Sequence, residues 1–110
     1  MKLTLYPDPV LKKRADNIGR FSTQLSALVE QMGELMSAED GLGLAGPQVG
    51  LSKRIFIART IKGEEFGPVR AYINPEIISV SAEMDDGEEG CLSFPHVHGT
   101  ITRHREVVVR

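Results

Sequence analysis

The sequence predicts a single α+β domain, with one N-terminal helix packed on antiparallel strands. Three observations carry this. Apolar residues fall at helical spacing over 23–38. After residue 52 the apolar period changes to two. Gly, Pro and Asn then punctuate the second half at short intervals. At 110 residues the chain is long enough for one domain and too short for two.

The elements follow in order. "LYPDPVLKKRADNI" carries Pro7 and Pro9, so it begins as extended chain or turn, with a short helix expected in its middle. Leu25, Leu28, Val29, Met32, Leu35 and Met36 make one apolar stripe on a helix of about four turns. Ser22 or Thr23 can cap its start, and Asp40-Gly41 can end it. Gly33 within it costs about 1 kcal/mol relative to Ala and is expected to admit a close neighbour. "KRIFIART" reads as a strand and "IKGEEFGP" as a hairpin turn or loop. "VRAYINP" and "EIISVSAE" read as strands split by Asn74-Pro75. "MDDGEEG" reads as an acidic turn, "CLSFP" as a short extended piece and "TITRHREVVVR" as a final strand.

Composition narrows the function classes. Net charge is −2 with both signs interspersed, which argues against a nucleic-acid surface. The lone Cys91 can form no internal disulfide, so no oxidising compartment is needed. No apolar run approaches the roughly 20 residues of a membrane span, and "MKLTLYPDPV" lacks the apolar core of a secretory signal. A cytoplasmic location with no membrane partner is the expectation.

"GLGLAGPQVG", residues 41–50, has the Gly-x-Gly-x-x-Gly spacing of a dinucleotide-binding loop. That loop requires a strand before the glycines and a helix after them. Here the predicted helix comes first and a strand follows. No Gly-Lys-Ser/Thr closes a phosphate loop either. Standing alone, the segment would read equally well as a glycine-rich helix-to-strand turn.

It stands with "EEGCLSFP". Gly41, Gly43, Leu44, Ala45 and Gln48, taken with the unbroken Glu89-Gly90-Cys91-Leu92-Ser93, resemble two motifs of the peptide deformylase family. "YPDPVLKKRA", the "INPEI" around Asn74, and Arg103 resemble the same family, so the likeness covers essentially the whole chain. The resemblance implies a deformylase-like fold. It also implies metal-dependent hydrolysis of the formyl group from N-formylmethionine of nascent polypeptides. The implied cofactor is a divalent metal, natively Fe2+ in many members and Zn2+ or Ni2+ in others.

By this resemblance Cys91 is a metal ligand. Gln48 donates its side-chain amide to the developing oxyanion, beside the backbone N–H of Leu92. The peptide substrate lies extended against Leu42, Gly43 and Gly90, where glycine permits close approach. Gly46 stands where Ala is more usual, a change expected to be benign. His98 stands where Arg is common, a change expected to alter substrate contacts.

One family motif is missing. His-Glu-x-x-His, which supplies two metal ligands and a proton-moving glutamate from a helix, does not occur, and none of His96, His98 and His104 precedes a Glu. The reading is therefore one deformylase-like domain over 1–110, truncated at its C-terminus and lacking the motif helix. Without that helix the metal itself could be absent, and little activity is expected of the chain alone. His96 and His98, two apart, could face one side of an extended chain, but Cys91 would have to fold back across Pro95, since five extended residues span about 16 Å. Exposed turn histidines, and a solvent-facing His104, are the simpler expectation. The alternative function is a non-catalytic deformylase-like module that binds peptides or partners. Val107, Val108 and Val109 on an open C-terminal strand make self-association an expectation of either reading.

Overall fold

The computed structural model describes residues 1–110. Helix α1 runs Thr23–Ala38, and Ser22 caps it by accepting the Leu25 N–H at 3.2 Å. Met32 and Met36 on the apolar stripe are fully buried. Glu39 caps the helix end, and Asp40 beyond it takes the left-handed conformation with φ 54°. Gly41 has another task. A Cβ there would lie 2.9 Å from Leu92 Cδ1 and 3.2 Å from Met36 Cγ, so glycine lets the helix end meet Leu92 without displacing either side chain. Gly33, by contrast, has open space where a Cβ would stand, with no atom within 4 Å, so the close neighbour expected there is absent.

Strands β1 (Gly43–Ala45), β2 (Ile55–Ala58) and β5 (Arg70–Ile73) form an antiparallel sheet in the order β1-β2-β5. Leu44 pairs with Ile57, and Ile55 with Ile73. Leu44, Ile55 and Ile57 meet Met32 and Met36 to make the core, so the helix does pack on antiparallel strands. Between β1 and β2 lies a 3₁₀ turn, Gly46–Val49. A Cβ on Gly46 would stand 2.7 Å from the Lys53 carbonyl oxygen and 3.0 Å from that of Leu51. Backbone thus stands on two sides of Gly46, and a methyl group there would require those carbonyls to shift.

Strands β3 (Ile61–Lys62) and β4 (Glu65–Phe66) form a small hairpin turned at Gly63, φ 65°. Strand β6 (Ile77–Val80) pairs with β9 (Val107–Val109). Asn74 breaks the chain between β5 and β6 with φ 51°. Its side chain also accepts the Ile18 N–H at 2.7 Å and donates to the Ile18 carbonyl at 2.8 Å, pinning the N-terminal segment.

Two expectations fail in the remaining region. "MDDGEEG" is no turn: it forms β7 (Met84–Cys91), paired with the 11-residue β8 (Phe94–His104). Nor is "CLSFP" extended throughout, because Cys91 opposes Phe94 across a tight Leu92-Ser93 turn. The strand forms despite poor β propensity because partners across the ladder answer its acids. Thr102 Oγ1 donates to Asp86 at 2.5 Å, and Arg105, just past β8, reaches Asp85 at 3.3 Å and Glu83, just before β7, at 2.7 Å. The predicted final strand is also two, since β8 ends at His104 and β9 begins at Val107. No helix is long and apolar enough to cross a membrane.

Candidate active site

The 3₁₀ turn after β1 places Gln48, and the β7–β8 turn places Cys91, Leu92 and Ser93. The two meet. Gln48 Nε2 lies 3.4 Å from Cys91 Sγ and 3.3 Å from Ser93 Oγ. The other end of the same amide is held, because Gln48 Oε1 accepts the Ala45 N–H at 2.9 Å. This is half of a capping box, in which the third residue of the turn reaches back to the first; Ala45 offers no side-chain acceptor in return. The amide orientation is thus set by its neighbours: oxygen toward a donor, nitrogen toward two acceptors.

Leu92 packs its side chain against the core, while its N–H makes no hydrogen bond within the chain. A free backbone donor beside the Gln48 amide is the arrangement that can receive a developing negative oxygen. Both groups line a cleft of about 770 Å³, together with Leu42, Gly43, Gly90 and Cys91. The cleft has two open strand edges. β1 is an outer strand of its sheet, and β7 has a partner on one side only. An extended peptide can add to such edges through backbone hydrogen bonds. Gly90 also leaves space for a neighbour: a Cβ there would approach His98 Nδ1 to 2.7 Å, so the His98 ring would have to turn away.

The histidines are not where a turn would leave them. His96 and His98 belong to β8, His96 with φ 65°, and both line the cleft. His104 is exposed, with its ring Nδ1 2.7 Å from the Ser81 carbonyl oxygen. Arg103 forms a two-pronged pair with Glu89, at 2.6 and 2.7 Å, on the cleft wall. The hydrogen bonds from Arg103 outweigh the opposing cost of burial and, with its charge, hold the Glu89 carboxyl below the usual carboxylate range; the same bonds and the Glu89 charge raise Arg103.

Cys91, an exposed thiol on the cleft, suits one ligand place of a soft divalent metal. The rest of a ligand set does not fit. No three His, Cys, Asp or Glu side chains converge to hold an ion, and His96 and His98 form no such group with Cys91. One thiolate does not close a metal site.

A family profile described as polypeptide deformylase matches residues 1–110. The chain belongs to the polypeptide deformylase family. The peptide deformylase of Pseudothermotoga lettingae is 44% identical over 109 residues, a match that takes in 99% of this chain and 60% of that protein. The peptide deformylase of Thermotoga neapolitana is 45% identical over 109 residues, with 99% and 63% covered. Among solved structures, peptide deformylase from Thermotoga maritima superposes with a TM-score of 0.90 at 40% identity, covering 98% of this chain and 70% of that one. Peptide deformylase from Ehrlichia chaffeensis gives 0.93 at 31% identity, covering 99% and 66%. The chain thus spans 60% to 63% of the length of these curated relatives. Its deformylase-like α+β fold is the fold of these structures.

Three contacts at the site carry no signal in the sequence motifs. Ser93 lies within the second motif, but nothing in the string marks it as buried. Thr4 N–H donates to the Gln48 carbonyl at 2.7 Å, and Tyr6 N–H to the Ser93 carbonyl at 2.9 Å. Thr4 and Tyr6 are two apart, so one edge of an extended segment reaches both motif loops; that spacing is the only hint the sequence held. Arg59 Nε, reaching from the end of β2, donates to the Gly41 carbonyl at 2.8 Å and ties down the glycine segment.

Proposed function

We propose that these residues form the peptide-binding and oxyanion-stabilising part of a peptide deformylase acting in the cytoplasm on the N-formylmethionine end of nascent polypeptides. One observation carries this reading: Gln48, the Leu92 N–H, Cys91 and two open strand edges converge on a single cleft. The substrate backbone pairs along Gly43 and Gly90, which fixes register without reading side chains. Its formyl oxygen enters beside Cys91 and exchanges the weak N–H···S contact of Gln48 for a stronger N–H···O bond. The Leu92 N–H is the second donor. Donors already aimed where charge develops favour the transition state over the bound substrate.

Cys91 is proposed as one ligand of the family's divalent metal, with the remaining ligands from outside these 110 residues. The chain alone is then expected to turn over little or no formyl-Met peptide. Robust turnover with stoichiometric metal would refute that division and point to His96 and His98, and His98→Ala should then abolish both.

Titration of the purified chain with a formyl-Met tripeptide and with its unformylated counterpart tests the binding half, followed by amide NMR. The formylated peptide should move the resonances of Gly43, Gly90 and Leu92, and the Gln48→Ala variant should lose its preference for the formyl group. Equal response to both peptides, or shifts confined to surfaces away from the cleft, would sink the reading. A non-catalytic peptide-binding module is the second reading, favoured by the lack of a convergent donor set. It requires the same peptide binding with no gain of turnover when metal and the missing ligands are supplied.

A further inference from the structure

Ser93 is the only polar side chain among the buried residues, at 2% exposure. Burying a hydroxyl is unfavourable unless it is bonded. Its Oγ accepts one bond from Gln48 Nε2 at 3.3 Å. Its backbone is held as well, since its carbonyl accepts the Tyr6 N–H at 2.9 Å. Two residues earlier along the same N-terminal segment, Thr4 holds the carbonyl of Gln48. The two loops are therefore tied to one strand of backbone, and their side chains are tied to each other.

The Gln48 amide needs this. The last torsion of a glutamine side chain is broad, with no sharp well of its own. Ala45 fixes the oxygen end of the amide, leaving the nitrogen with two acceptors. One of them, the Cys91 sulfur, is weak. The hydroxyl of Ser93 is the stronger, and it lies in a site where water cannot replace it.

We propose that Ser93 is a positioning residue, holding the Gln48 amide nitrogen at the bottom of the cleft through its buried hydroxyl and its anchorage to the N-terminal segment. The geometry stands by itself; its consequence for catalysis rests on the deformylase reading above. When a formyl oxygen arrives, the amide can leave the sulfur and still be held by Ser93, so the donor is retained without reordering.

The test is the side-chain amide of Gln48, read by NMR hydrogen exchange on the purified chain. Gln24 and Gln31 are exposed on α1 and serve as internal controls. In the wild type the Gln48 amide protons should exchange at least about tenfold more slowly than those of the controls. Ser93→Ala should bring the rate to that of the controls, with the backbone spectrum unchanged outside the two loops. Ser93→Thr, which keeps the hydroxyl, should keep the protection. Unprotected Gln48 in the wild type overturns the proposal with no variant needed. So does equal protection in folded Ser93→Ala, or lost protection in folded Ser93→Thr. Titration with the formyl-Met tripeptide separates this from the parent reading. If no variant binds peptide but Ser93 still controls Gln48, the deformylase reading falls and the positioning role stands. If the wild type binds and Gln48 is indifferent to Ser93, the reverse holds.

Discussion

The half of the molecule built on α1 and the β1-β2-β5 sheet holds every buried apolar residue, whereas the β7–β8 hairpin buries almost nothing. Gln48 grows from the first and Cys91 from the second. The contrast explains how the site is held. Packing fixes the position of Gln48, because the turn that carries it is pressed against backbone at Gly46. Cys91 depends instead on a few directed contacts at the hairpin tip: Leu92 against Gly41, the Tyr6 N–H on Ser93, and Gln48 itself. A rigid wall and a tethered wall enclose one cleft.

Stability should separate the two halves most strongly. Met32→Ala should destabilise the chain by about 2–5 kcal/mol in urea unfolding, because a fully buried side chain is removed from a close-packed core. Val97→Ala in the hairpin, where the side chain is 59% exposed, should change it by less than about 0.5 kcal/mol. Equal losses would erase the distinction and show that the hairpin folds as part of the core.

Next in size is Gly46→Ala. The Lys53 and Leu51 carbonyls must move to admit the methyl group, at a cost of about 1–3 kcal/mol. Urea unfolding gives the stability change, and a fluorescence or NMR measure of formyl peptide binding should show the Gln48 turn displaced with it. A neutral outcome would mean that the turn is softer than its contacts indicate.

Outside both walls, the β6–β9 ribbon leaves Ile77, Ile78, Val80, Val107 and Val108 exposed, with an open edge on each strand. We propose that a second copy of the chain covers this surface. Sedimentation velocity over a wide concentration range should show mass rising with concentration. A monomer throughout would remove the proposal.

The pH response of the hairpin should be weaker than any of these. Glu89 has its pKa lowered by Arg103, so the pair contributes fully above the ordinary carboxylate range and is lost as pH falls through the lowered value. Amide exchange along β7 should accelerate on that acid side, and less so in high salt, since the pair is exposed. Glu89→Gln should flatten the response. An acid limb unchanged in Glu89→Gln would assign it to another carboxylate.

Helix α1 was legible to its boundaries in the string of residues, because period and cap are local signals: the stripe from Leu25 to Met36 and the hydroxyl of Ser22 act within one element. The nearness of Gln48 to Cys91 was legible too, since each lies in a contiguous motif. "MDDGEEG" was not, because a strand of acids forms only when another part of the chain pairs with it, here β8, which also sets Thr102 and Arg103 opposite its carboxylates. Contacts between segments also settle that Gly41 meets Leu92 and that a methyl group on Gly46 would press on the Lys53 and Leu51 carbonyls. They alone bury Ser93 under Gln48. Those are facts about approach between distant segments, and approach distance is a property that no residue carries until its neighbour has arrived.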